Sequence, residues 1–151
     1  MKKYIILFSI LLASCNAPVN EPQGAGYWIG DDGNEKYVIA SDELTEIYSN
    51  WVEAHNNKDI DAVLSLQTDS IRIALSNGNV IEGKDAHAEA LSNYFTTDPS
   101  WNMYWALPYK AVNKGEEWII AGQYVTNTSA DGEEIAVQRM IDAQFVDGLL
   151  N

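Results

Sequence analysis

The strongest constraint on the fold lies in the C-terminal third of the chain. Three long, largely apolar runs follow one another there: Trp101 to Val112, Glu116 to Thr128 and Glu134 to Val146. Only Asn113-Lys114-Gly115 and the five residues Ser129 to Glu133, with Ala130-Asp131-Gly132 as the turn, separate them. Links this short can join only antiparallel neighbours, because a parallel crossover takes a dozen residues or more. The runs therefore predict a three-stranded meander. Both faces of the second and third runs read as apolar, apart from Gln138, Arg139 and Asp142. A sheet covered on one side only should alternate cleanly. The outer face is therefore expected to be covered as well, by a second copy of the chain.

Upstream the period changes. Leu44, Ile47, Tyr48, Trp51, Val52 and His55 recur at helical spacing. Ser41 or Asp42 can cap this helix, and Asn56-Asn57 ends it. A shorter helix is predicted from about Asp59, with Ile60, Val63 and Leu64 on one face. Ile71, Ile73 and Leu75 alternate as a strand, and Ser76-Asn77-Gly78-Asn79 is a hairpin signal returning through Val80-Ile81-Glu82. A third helix is predicted from Lys84 to Thr97, with Leu91, Tyr94 and Phe95 inward, and Pro99 stops it. Helices first and strands last mean an α+β domain over residues 41–151, with helices on one face of a curved antiparallel sheet.

The N-terminus is an address. Lys2-Lys3 precede the nine-residue, largely apolar stretch Tyr4 to Leu12, too short to span a bilayer as a helix. Residues 1–14 read as a secretory signal. Leu12-Ala13-Ser14-Cys15 resembles the bacterial lipobox, in which small residues admit a peptidase and the cysteine is lipidated; the other reading is an ordinary signal peptide that happens to contain a cysteine. Cys15 is the one cysteine of the chain, so no disulfide framework is possible. The expected location is the bacterial cell envelope, periplasmic or surface side, held by the lipid anchor alone. Residues 15–40 carry Pro18, Pro22 and four glycines and read as a flexible tether, in which Tyr27-Trp28-Ile29 is expected to pack back onto the domain. The chain carries 22 acidic and 9 basic residues, a formal charge of -13. Such a surface repels phosphate, so no nucleic-acid partner is expected. It should also be held off an anionic lipid face.

The order of elements resembles the nuclear transport factor 2-like superfamily, and within it the SnoaL-like branch. The local signatures are Asn57-Lys58-Asp59-Ile60-Asp61-Ala62-Val63, Ile81-Glu82-Gly83-Lys84-Asp85-Ala86 and Phe145-Val146-Asp147-Gly148. The resemblance implies a cone whose sheet curls around a central pocket. It also implies a test by residue. Ketosteroid isomerase, a relative, uses an Asp base with a Tyr and a protonated Asp as donors to the oxyanion. The base position falls on Leu75, which cannot take a proton, and the tyrosine falls on Trp51. The second Asp matches Asp142. Relatives continue past the last Asp-Gly with a full strand. Here the cone is open on that edge, or the tether covers it, or the chain is truncated.

Asp142, Gln138 and Gln144 share one side of the last long strand. Asp142 reads either as a buried acid with a raised pKa or as the partner of Arg72 or Arg139 in an ion pair. His55 reads either as a general base or as a helix-end residue favoured by the dipole. His87 begins the inner face of the third helix and, in its first turns and open to solvent there, reads as structural rather than as a site group. Tyr48, Trp51, Arg72, Tyr94, Tyr104, Gln138 and Met140 are expected to line the pocket. Two histidines and scattered carboxylates lack a metal-ligand spacing, so neither metal nor cofactor is expected. The function expected is a lipid-anchored protein binding a small, largely apolar molecule, with a SnoaL-like hydrolase, dehydratase or isomerase using Asp142 as the alternative.

Overall fold

A computed structural model describes residues 23–30 and 33–151. The signal segment and Cys15 lie outside the described residues. The elements are β1 (Gly24–Gly30), β2 (Gly33–Ile39), α1 (Glu43–Asn56), α2 (Ile60–Ser65), β3 (Arg72–Ala74), β4 (Val80–Glu82), α3 (Lys84–Tyr94), a 3-10 turn (Phe95–Thr97), β5 (Ser100–Ala111), β6 (Glu117–Thr128), β7 (Glu134–Val146) and β8 (Leu149–Leu150). Three helices pack on a strongly curled antiparallel sheet of order β1-β2-β5-β6-β7-β8, which is the expected α+β cone. β3 and β4 form a separate hairpin.

Local chemistry sets the boundaries. The Ser41 hydroxyl accepts from the Glu43 N–H at 3.2 Å, while Asp42, the N-cap of α1, makes no side-chain capping bond. Asp59 caps α2 by accepting from the Ala62 N–H at 3.0 Å. Lys58 before it has a φ of 55°, and a salt bridge ties its ammonium to Asp98. Asn56 is a clamp between layers. Its side chain accepts from the Trp101 N–H at 2.7 Å and donates to the Trp101 carbonyl at 2.9 Å, pinning the end of α1 to the start of β5.

The core lies between α1 and the concave face. Leu44, Tyr48 and Val52 of α1 meet Trp101, Ile119, Ala121, Val125, Phe145 and Leu150. The spacing of Ile119, Ala121 and Val125 shows that odd-numbered positions of β6 face the helices. The β6–β7 register pairs Ile120 with Asp142 and Ala121 with Ile141, so even-numbered positions of β7 face outward.

Two expectations about the edges change. Gly24–Gly30 and Gly33–Ile39 are strands, not a structureless tether. β2 pairs with β5 through Tyr37–Ala111, Val38–Lys110 and Ile39–Tyr109, and Glu35 accepts from the Asn113 N–H at 2.7 Å. That bond and the Asn113 side-chain amide at 3.2 Å hold the Glu35 carboxyl below its usual range. The hairpin thus extends the sheet beside β5, not beside β7. Tyr27, Trp28 and Ile29 do not pack back but are 64%, 63% and 74% exposed on the edge strand β1. At the other edge, β8 pairs with Phe145 and Val146 of β7. Leu150 is buried there, exchanging backbone bonds with Leu66 and Thr68.

Candidate functional site

The interior of the cone is an aromatic nest with polar groups threaded through it. Tyr48, Trp51 and His55 stand one turn apart on α1, so the helix presents all three to one side. Trp51 stacks on Tyr48 at 5.6 Å between ring centres and meets His55 at 3.9 Å. Trp101 of β5 lies edge-on to His55 at 5.0 Å and to Tyr94 at 5.7 Å. His87 of α3 faces His55 across 6.1 Å, and Phe95 closes the group.

Each histidine is anchored through Nδ1. In His55 it lies 2.7 Å from the Trp51 carbonyl, which can only accept, so Nδ1 carries the proton and Nε2 is the basic nitrogen. In His87 it lies 3.0 Å from Oε1 of the fully buried Gln67. Burial disfavours the imidazolium and lowers both to about 4. The helix-end charge expected for His55 is thus overridden by desolvation, and His87 is buried rather than solvated. Burial also pushes the Tyr48 hydroxyl above its ordinary range; the Gln123 side chain is near enough to oppose that rise, but no hydrogen bond closes between them.

Five buried polar atoms in this nest have no hydrogen-bond partner among the described residues: Tyr48 Oη, Trp51 Nε1, Gln67 Nε2, Tyr94 Oη and Gln123 Oε1. Gln67 and Gln123 were missed in the sequence. Gln123 was legible in principle, because it shares the parity of Ile119, Ala121 and Val125. Gln67 follows α2 outside any period and carried no signal.

The remaining predicted site residues lie elsewhere. Asp142 is on the outer face of the sheet, exposed, with the Tyr109 hydroxyl donating to Oδ1 at 2.7 Å. Partial burial, and then this carboxylate, hold the Tyr109 hydroxyl above its ordinary range. Gln138, Met140 and Tyr104 are on the same outer face, where the Gln138 amide donates to the Tyr104 hydroxyl. Neither arginine partners Asp142. Arg72 on the small hairpin lies 3.6 Å from Glu82, and Arg139 has the opposite strand parity. Leu75, the aligned base position, is 40% exposed beyond the end of β3. The expected pocket is therefore split: Tyr48, Trp51, His55 and Tyr94 come together inside, while Asp142, Tyr104, Gln138 and Met140 stand on the opposite side of the sheet. Two surface clefts, of about 380 Å³ beside Asp42 to Asn50 and about 560 Å³ beside Trp28 and Asn113, include none of these residues. No group of three or more metal-ligating side chains occurs among the described residues.

No family model and no curated protein matches this chain. Solved structures do. Aln2 from a Streptomyces species superposes with a TM-score of 0.58 at 19% identity, over 72% of this chain and 81% of that one. A nuclear transport factor 2-like protein of unknown function from Burkholderia pseudomallei gives 0.56 at 16% identity, over 72% and 85%. TerC, crystallised with polyporic acid, gives 0.58 at 13% identity, over 72% and 85%. At these identities the likeness is one of architecture. The chain has the curled-sheet α+β cone fold of nuclear transport factor 2-like proteins.

Proposed function

We propose that the protein is an envelope-tethered binding module, anchored through Cys15, that holds a small and largely apolar ligand among the interior rings. The five unpartnered polar atoms carry this reading. A buried donor or acceptor left unmet costs about 1–3 kcal/mol, and native interiors keep few of them. Five around one aromatic nest fit a site whose polar atoms are met by a ligand. Four of the five are donors, so the complementary ligand carries oxygen acceptors on an apolar body. Native mass spectrometry of the protein drawn from its own membranes tests this. A bound small molecule that is lost in Tyr48→Phe/Tyr94→Phe supports the reading. A mass equal to the lipidated chain alone, in both proteins, sinks it.

A second reading is enzymatic, with His55 in place of Asp142. It is favoured by the fixed tautomer, which leaves Nε2 unprotonated at neutral pH. A turnover with this base would rise through pH 4 and stay flat above it.

The outer face supports association of two copies through the sheet. Tyr104, Trp105, Leu107, Tyr124 and Met140 are all more than a third exposed there. Asp142, already bonded to Tyr109, brings that face a carboxylate that is not bare. A chain of charge -13 meets a copy of itself most easily where charge is sparse.

A further inference from the structure

We propose that the edge strand β1 is a membrane-contact element, which lays Tyr27, Trp28 and Ile29 into the zwitterionic lipid interface beside the anchor; this rests on the reading of Cys15 as lipidated.

From Gln23 to Gly30 no residue is charged, in a chain with 31 charged residues among its 151. Tyr27, Trp28 and Ile29 are each more exposed than almost any other large apolar residue of the molecule. They alternate across an edge strand, beside whose outward-facing backbone no strand lies among the described residues. Pairing with β2 fixes them in register: Tyr27 opposite Lys36, Trp28 opposite Glu35, Ile29 opposite Asn34. The strand is thus presented by the body of the sheet rather than left to move independently of it.

Chain length then selects the occupant. Cys15 lies twelve residues before Tyr27, and a fully extended chain spans about 3.3 Å per residue, so the acyl group is at most about 40 Å from the strand. A surface that already holds the acyl chain is in effect always within reach of β1, as no soluble partner is. Trp and Tyr favour the membrane interface, where an amphipathic ring meets both apolar and wet surroundings. The formal charge of -13 and the pair Asp31-Asp32 that follows the strand in sequence make an anionic surface unfavourable, so the contact suits neutral headgroups.

Brominated phosphatidylcholine vesicles carrying the acylated protein provide the test. The expected result is partial quenching of tryptophan emission that is lost in Trp28→Phe and weakened when anionic lipid is mixed in. Retention on the vesicles with quenching unchanged in Trp28→Phe overturns the proposal and leaves lipidation standing. The unacylated Cys15→Ser chain, sedimented with the same vesicles, separates the two ideas. Weak binding that disappears in Tyr27→Ser/Trp28→Ser supports β1 even if no acyl group is found on Cys15. No difference between these two chains overturns it. A Trp28 emission shift that follows protein concentration without vesicles marks edge pairing between copies and also overturns it.

Discussion

The two faces of the curled sheet carry similar chemistry and have opposite fates. Inside, Trp101, Tyr48 and two histidines are sealed under α1 and α3, and polar atoms go unmet. Outside, Trp105, Tyr104 and Tyr124 stand partly in water, and the polar groups Asp142 and Gln138 find phenol partners within the face. Aromatic content does not distinguish a site from a surface here. What distinguishes them is desolvation, which neutralises the inner histidines and leaves the inner amides and hydroxyls orphaned.

Truncating a ring on each face should break this comparison most visibly. Trp101 is 8% exposed and touches His55, Tyr94 and Phe95, so Trp101→Ala should cost about 3–5 kcal/mol in chemical denaturation. Trp105 is 37% exposed, and Trp105→Ala should cost about 1 kcal/mol or less. Equal losses would mean that the outer ring is core after all.

Acid should act on the inner face. His55 and His87 titrate near 4 when folded and near 6.5 when unfolded. Between those values the unfolded chain binds more protons. Their contribution is therefore fully present above pH 6.5 and is lost as pH falls toward 4. For His55 the loss is on the order of 3 kcal/mol, and less for His87. His55→Gln should flatten the stability profile between pH 6.5 and 4, measured by urea midpoints at each pH.

The outer face should answer to association instead. Met140 is 70% exposed at its centre, so Met140→Glu should shift the sedimentation coefficient from dimer to monomer and make the melting temperature independent of protein concentration. A monomeric parent protein removes the interface altogether. Smaller still is Tyr48→Phe, which deletes an orphaned hydroxyl: without ligand, stability should change by less than about 1 kcal/mol. Smallest of all is Asp142→Asn. It should leave any ligand binding unchanged, because the carboxylate is separated from the nest by the sheet.

Much of the fold could be read before any coordinates. β7 spans Glu134–Val146 as expected from its flanking turns, and α1 closes at Asn56. The β1–β2 hairpin could not be read, because Gly24 to Gly30 has no alternation and the β5 partner of β2 lies some seventy residues away. Of the site, Tyr48, Trp51, His55 and Tyr94 were legible, since helical spacing places a residue on a face whatever that face meets. Asp142 was not. In Met140-Ile141-Asp142-Ala143 either parity offers an apolar neighbour, so the strand alone does not say which side is inside.

The amino-acid order by itself determined which segments are helix or strand and that the long strands run antiparallel, because those are local matters of period and turn length. Only the tertiary structure decided which side of each strand the helices cover. That choice depends on register: Asp142 sits opposite Ile120, and Ile120 points outward because Ile119 and Ala121 are the residues that α1 buries.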